Sequence, residues 1–315
     1  MNYSPENYPG KAVGTFFENI VQSFSERIEK DDQDLDAQVG AAEFLTTLWC
    51  FGFYPRDRAL PKARMAAETA LGHQPNSGHA HAAVAVQEFA DWNWQNAETG
   101  FQKALELNPD DPGILHWYAL YLAALGDFDN AYHYSHRAVK LSGSTGMKVG
   151  LSAIMYFAHD FQDMVDLLVP LTIEDPNFGP AFDWLGMAYV QLERFDDSIR
   201  TYKRAVELAD NTMEVVSGLG HALGMAGRRE EALEVLESMQ EAATQTYVPP
   251  VQMAYVHSGL SDFEGAFNQL QIAYEQGAWE LSFLREEPWL ECLANDVQFQ
   301  ELERKIGFPI RTNKN

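Results

Sequence analysis

Histidines are the residues of this chain whose spacing comes closest to a chemical site. Residues 79–81 read "HAH" and residues 133–136 read "HYSH". The second pair has the i, i+3 spacing that shares one helix face, where two imidazoles can bind a transition metal. Neither cluster has a third ligand nearby, and Cys50 and Cys292 are too far apart in sequence for a Cys-x-x-Cys pair. We interpret these histidines as structural and expect no metal and no cofactor.

Enzyme motifs and nucleic-acid signals are missing from the sequence. There is no glycine-rich phosphate loop with a following lysine and no Gly-x-Ser-x-Gly. The 46 acidic and 22 basic residues give a net charge of -24, which repels nucleic acids and anionic membrane surfaces. No apolar run approaches the ~18 residues of a membrane span, and the start lacks a secretory signal. We predict an acidic, cytoplasmic, non-catalytic protein that binds neither nucleic acid nor membrane.

A period of 34 residues organises most of the chain. Ala97 and Ala104 align with Ala131 and Ala138 at this offset, which continues, once shortened to 33, through four further units. Alanine fills four of the six positions in each of these two columns. A third column lies 12 residues before the first and follows a bulky residue in every unit. Its members are Ala85, Ala119, Ser152, Gly186, Gly220 and Ala254.

Small residues at fixed spacing indicate helices that approach each other closely. The columns belong to two helices per unit, joined by short polar or glycine-bearing turns such as "LGDFDN" and "LSDFE". A small residue beside a bulky one lets two helices touch without a void. Each pair leaves an apolar face that only the next unit can cover. The spacing therefore predicts stacked antiparallel helix pairs.

The pattern resembles the tetratricopeptide repeat, a 34-residue helix-turn-helix unit. The tract "FDWLGMAYVQLERFDDSIRTYKRAVEL", residues 182–208, has the leucine, glycine, tyrosine, aromatic turn residue and late alanine of that repeat in order. Six units begin near residues 78, 112, 145, 179, 213 and 247, and a divergent unit lies upstream. The resemblance implies an all-α fold, a right-handed superhelix or α-α solenoid with about seven helix pairs and helical caps.

Three regions follow from this reading: an N-terminal capping helix over 1–34, a repeat array over 35–276 and a C-terminal helical cap over 277–315. The tract "GAWELSFLREEPWLECLANDVQFQELERKIGFP", residues 277–309, breaks the period. It resembles the closing segment of the repeat regions that follow winged-helix or nucleotide-cyclase domains in bacterial regulators. We expect the sensing or docking part of such a regulator without the attached effector domain, and a tail that shields the last repeat.

In tetratricopeptide proteins the first helix of each pair lines an inner groove. The matching positions here are mostly apolar or aromatic, and His79 and Glu214 are among the polar exceptions. The resemblance also implies that the basic clamp used by chaperone-binding members is absent. The groove residues predicted to bind a partner are Phe89, His116, Leu120, Tyr156, Phe157, Asp183, Met187, His221, Met225 and Tyr255.

An open apolar groove predicts a scaffold or adaptor that binds a hydrophobic or amphipathic peptide or protein. The acidity of the chain makes a basic partner an alternative within this hypothesis. A second hypothesis is a sensor that regulates a partner protein when a small molecule or peptide enters the groove. A third is an enzyme that uses His116 and His221. Tight winding of the superhelix, or burial of the groove by the chain ends, would leave no open surface.

Overall fold

The protein is all-α, as predicted. A computed structural model describes residues 11–50, 54–209 and 212–310, and no strand occurs within these ranges. The α-helices are α1 Lys11–Lys30, α2 Leu35–Cys50, α3 Arg56–His73, α4 Gly78–Ala90, α5 Trp94–Leu107, α6 Pro112–Ala124, α7 Phe128–Ser142, α8 Thr145–Phe157, α9 Phe161–Glu174, α10 Gly179–Gln191, α11 Phe195–Leu208, α12 Met213–Met225, α13 Arg229–Ala243, α14 Pro250–Gly259, α15 Phe263–Gln276 and α16 Val297–Ile306.

Helices α2 to α15 form seven consecutive pairs, from α2–α3 to α14–α15. The first helix of each pair also packs against the first helix of the next pair, so α2, α4, α6, α8, α10, α12 and α14 form one continuous inner layer. Helix α1 packs against α2 at the N-terminal end. This arrangement confirms the α-α solenoid.

The small-residue columns lie where the helices of the array touch. Ala131 and Ala138 are fully buried, as are Ala85 and Ala119 of the preceding column. A Cβ atom built on Gly186 would lie 2.7 Å from the ring of Tyr202. A side chain of any size at this position would push α10 and α11 apart, because packed cores tolerate added atoms poorly. Close helix contact therefore explains the repeated small residues.

The turn inside each pair from α4 onward contains one residue in the left-handed backbone region. These residues recur at 34-residue spacing, once shortened to 33, and end the first helix of the pair at the same point in every unit. Glycine, which adopts this conformation without strain, fills only two of the six positions. The six are Trp92, Gly126, His159, Glu193, Gly227 and Ser261.

The chain after α15 does not continue the array. We call residues 277–308 the C-terminal segment. It consists of two short 3-10 helices, Trp279–Phe283 and Pro288–Leu293, followed by α16. The first 3-10 helix packs on α4 and α6, and the second packs on α14. The segment thus runs along the inner layer, whereas the sequence suggested a shield over the last repeat.

Two further findings concern the regional predictions. Residues 1–10 and 311–315 of the predicted caps lie outside the described residues, and the boundaries of the three predicted regions stay predictions. Within the described residues no helix has the length and apolar character needed to cross a membrane.

Candidate ligand-binding site

The C-terminal segment covers part of the predicted groove with aromatic side chains. The ring of Phe283 stacks on Phe157 with a centroid distance of 4.5 Å and an interplanar angle of 5°. It also meets the edge of Phe89, 5.7 Å away. Ser282 donates a hydrogen bond to the backbone carbonyl of Phe89 over 3.3 Å. Apolar contacts and a backbone hydrogen bond therefore both attach the segment to α4 and α8.

Trp289 anchors the second 3-10 helix on α12 and α14. Its indole stacks on His221 with a centroid distance of 4.2 Å and meets the edge of Tyr255 at 5.1 Å. The hydroxyl of Ser258 donates to the Trp289 carbonyl over 2.5 Å. His221 is held from its other side, because Nδ1 lies 2.8 Å from the Tyr255 carbonyl. The imidazole is therefore fixed between two neighbouring repeats and the segment.

Glu287 connects the segment to the inner layer through hydrogen bonds. Its Oε1 accepts from the Tyr156 hydroxyl over 2.5 Å and from the backbone amide of Trp289 over 3.1 Å. Its Oε2 accepts from the Tyr255 hydroxyl over 3.1 Å. Burial raises the pKa of Glu287 above its ordinary value, and the hydrogen bonds from the two tyrosines and the amide oppose that rise.

The ten predicted groove residues fall into three sets. Phe89, Tyr156 and His221 are buried beneath the segment and contact its side chains. Met225 is 46% exposed. The other six line a cavity that remains between the segment and the inner layer. They are His116, Leu120, Phe157, Asp183, Met187 and Tyr255.

The expectation of an open apolar strip along the whole inner layer is therefore wrong in its central part. Burying aromatic surface is strongly favourable, and the segment supplies the aromatic side chains that cover this strip. Whether the six cavity residues bind a ligand stays a prediction.

The cavity has a volume of about 360 Å³, which falls within the usual range of small-molecule sites. Helices α6, α8, α10, α12 and α14 form one wall, and the C-terminal segment forms the other. Its apolar and aromatic lining includes Leu120, Val149, Ala153, Phe157, Phe178, Trp184, Met187, Tyr255, Trp279, Phe283 and Trp289. Its titratable lining groups are Cys50, His116, Asp183, Glu214, Tyr255, Glu280 and Glu287.

Three carboxyl groups of this cavity have unusual surroundings. Burial raises the pKa of Glu214 to about 7 and that of Glu280 to about 8. The pKa of Asp183 is raised well above its ordinary value, first by burial and then by the neighbouring charge of Glu214. A low-polarity environment disfavours the ionised form of an acid. These three groups therefore hold protons at a higher pH than exposed carboxyls do.

His116 also faces this cavity. Burial lowers its pKa to about 4, so its imidazole is neutral at pH 7. Its buried Nδ1 has no hydrogen-bond partner among the described residues. A Cβ atom on Gly150 would lie 2.6 Å from the imidazole, so glycine is needed for α8 to pass this close. His116 thus offers a neutral ring nitrogen that hydrogen bonding within the fold leaves unused.

The structure gives the remaining histidine clusters ordinary surroundings. His133 packs against the edge of Tyr134, and His136 stacks on Tyr132. His79 lies 3.4 Å from Glu43 and 3.5 Å from Asp111, and the hydrogen bond to Glu43 raises its pKa. Across residues 11–50, 54–209 and 212–310, no three His, Cys, Asp or Glu side chains are grouped closely enough to hold a metal ion.

Sequence reasoning missed the half of the site that the C-terminal segment contributes. Trp279, Glu280, Phe283, Glu287 and Trp289 lie in a tract that the broken period assigned to a cap. The available signal was composition, because "WELSFLREEPWL" alternates aromatic and acidic residues. A tail that only shields a last repeat from solvent has no need for so many large aromatic side chains.

Two stretches of the chain match family models of the tetratricopeptide repeat, residues 101–133 and residues 180–212. The chain therefore contains tetratricopeptide repeats, as the sequence pattern indicated. No curated protein matches the sequence. The resemblance of the C-terminal segment to bacterial winged-helix and cyclase regulators stays a prediction.

Solved structures similar to this chain are repeat proteins of greater length. A chain of the APC/C hetero-tetramer Cut9-Hcn1 is 15% identical with a TM-score of 0.62, over 92% of this chain and 52% of that one. Human IFIT1, solved as a dimer with m7Gppp-AAAA, is 15% identical with a TM-score of 0.60, over 92% and 70%. Yeast Tom70 is 17% identical with a TM-score of 0.50, over 92% and 62%. This chain spans about half of the first protein. At these identities the similarity shows the fold alone.

Proposed function

We propose that this protein is a non-catalytic regulatory sensor whose concave surface receives a small ligand. The cavity between the inner layer and the C-terminal segment is the observation that supports this proposal, because it combines an apolar lining with a few convergent polar groups. A ligand there touches five repeats and the segment together. Its binding energy therefore changes how firmly the segment is held, which couples ligand binding to a surface that a partner protein contacts.

This proposal ranks the sensor above the scaffold that binds a long peptide along the groove. Phe283 and Trp289 occupy the central groove surface that such a peptide needs. The peptide would have to displace both rings and the hydrogen bonds of Glu287. A small ligand requires no such displacement. The sensor is therefore the less costly use of this site.

A scaffold or adaptor role is the second candidate, and it concerns the N-terminal part of the concave surface. A cavity of about 500 Å³ lies there, lined by α1, α2, α4 and α6. Glu43, His79 and Asp111 provide polar groups in its wall, and Phe24 and Trp117 provide aromatic ones. The two carboxylates favour a basic or amphipathic peptide. The occurrence of a similar fold in the Cut9-Hcn1 assembly agrees with partner binding.

The non-catalytic part of the proposal rests on the surroundings of the histidines. His221 is 2% exposed and lies beneath Trp289, where no substrate atom reaches it. His116 faces the cavity, but no serine, cysteine or other histidine forms a hydrogen bond with it. A nucleophile with a positioned base requires such a contact. We propose the cytoplasm as the location of the protein, in keeping with its acidity.

Fragments of equal shape and different charge test the sensor proposal. Benzamidine, benzamide and benzoate share a ring and carry positive, neutral and negative charge. We expect at least one of them to give saturation-transfer NMR signals with the wild-type protein. Met187→Lys puts a long cationic side chain into the cavity and should abolish those signals.

Met225→Lys is the matched control, because Met225 is a predicted groove residue that is 46% exposed and does not line the cavity. We expect this variant to bind the fragments as the wild type does, and circular dichroism should show equal helix content in all three proteins. The absence of binding by all three fragments to the wild type would refute the sensor proposal. Binding that survives Met187→Lys would place the site elsewhere.

A further inference from the structure

The cavity contains negative charge that the protein does not neutralise. None of the described residues that line it is lysine or arginine. Asp183 and Glu214 form no side-chain hydrogen bond or ion pair with any residue that the structure describes. Glu280 contacts only its own backbone amide. Buried carboxylates are usually paired, because burying an isolated charge costs several kcal/mol.

Asp183 is the clearest case among these groups. It is 8% exposed, lies in the middle helix of the cavity wall and borders the empty space. Behind it, the buried hydroxyl of Tyr202 also has no hydrogen-bond partner in the described part of the chain. A residue that served packing alone in this position would be apolar. An unpaired acid that borders a cavity is instead typical of a group that pairs with a ligand.

Aromatic rings surround the same space. Trp184 on α10 faces the cavity together with Trp279, Phe283 and Trp289 of the C-terminal segment. The face of an aromatic ring is electronegative and attracts cations, most strongly when the cation has lost its water. Aromatic faces combined with carboxylates are the environment that recognises ammonium and amidinium groups.

A metal ion is a poor fit to this environment. No group of three His, Cys, Asp or Glu side chains in the described ranges can hold one, although four carboxyl residues line the cavity. Divalent cations need several oxygen ligands at about 2–2.6 Å. An organic cation needs only one or two carboxylates, because its apolar body contacts the rings. The dispersed carboxyl groups therefore favour an organic cation.

We propose that the ligand of this cavity is an organic ammonium or amidinium cation with an apolar body. Its charged group pairs with Asp183 and Glu214, and its apolar body lies between Trp184 and the rings of the C-terminal segment. This inference rests on the proposed sensor function and adds the chemical class of the ligand.

Isothermal titration calorimetry with the three benzene derivatives tests this proposal at pH 8.5. We expect benzamidine to bind at least tenfold more tightly than benzamide and benzoate, since a desolvated cation gains from both the carboxylates and the rings. Choline should likewise bind more tightly than 3,3-dimethylbutanol, which has the same shape without the charge. Asp183→Asn removes one charge and keeps the side-chain volume, so it should reduce the preference for benzamidine by about tenfold.

Glu234→Gln is the control for long-range charge effects, because Glu234 is exposed on α13 and its loss changes the net charge by the same amount. We expect it to bind benzamidine as the wild type does. If Asp183→Asn loses helix content, Glu280→Gln provides the same test from the C-terminal segment. Equal affinity for benzamidine and benzamide, or tighter binding of benzoate, would overturn the cation proposal and leave the sensor proposal intact. The absence of binding by every probe would overturn both.

Discussion

Removing the side chain of Phe283 tests whether the C-terminal segment is an integral part of the concave surface. Phe283 is 4% exposed, and its ring meets Phe157, Phe89 and Trp279 at centroid distances of 4.5, 5.7 and 5.3 Å. Burying a phenylalanine contributes about 1.5–3 kcal/mol, and a well-oriented aromatic pair adds about 0.5–1.5 kcal/mol. The void left by truncation adds a further cost. We expect Phe283→Ala to weaken attachment of the segment by about 3–5 kcal/mol.

Amide hydrogen exchange is the suitable assay for this variant, because repeat arrays often unfold in stages and a single melting temperature mixes them. Exchange reports the opening of each region separately. Since about 1.4 kcal/mol corresponds to a tenfold change in an equilibrium constant, amides over residues 279–293 should exchange on the order of 100-fold faster. Amides of α2 and α3, which lie outside these ring contacts, should keep their wild-type exchange rates.

Phe263→Ala is the matched control, because Phe263 begins α15 and is 42% exposed. The same truncation there should change stability by only about 0.5 kcal/mol. Exchange of the segment that is as slow in Phe283→Ala as in the wild type would refute the anchoring role of the ring. Equal acceleration in both phenylalanine variants would show that position in the groove is irrelevant.

Two further predictions concern stability. The raised pKa values of Glu214 and Glu280, about 7 and about 8, mean that the folded state binds more protons than the unfolded chain above pH ~4.5. Unfolding free energy from urea titrations should therefore fall as pH rises from about 4.5 to 8, and Glu280→Gln should reduce that fall; a variant with an unchanged slope would contradict this reasoning. A Cβ atom on Gly224 would lie 2.5 Å from the backbone carbon of Gly259, so Gly224→Ala should destabilise the fold by roughly 1–3 kcal/mol. Gly72, with no atom within 4 Å of its Cβ position, is the control, and its change to alanine should raise the melting temperature.

The sequence alone was sufficient to predict the helix pairs. The contacts inside a repeat join residues close in sequence, so they leave a local signature, such as Ala131 seven residues before Ala138. Both alanines are fully buried in the structure. The repetition of this signature every 34 residues strengthens a weak local preference into a clear pattern. Fold class and number of pairs could therefore be predicted without coordinates.

The covering of the concave surface was decided by tertiary structure. Ser282 bonds to Phe89 across 193 residues, and the Trp94 indole donates to the Ile306 carbonyl across 212 residues. Whether such distant residues meet depends on the curvature of the array, which accumulates from small rotations between successive repeats. Met187 and Met225 are both predicted groove residues, yet only Met187 borders the cavity and Met225 is half exposed. Periodicity identifies which face of each helix turns inward, but only the assembled curve determines what that face meets.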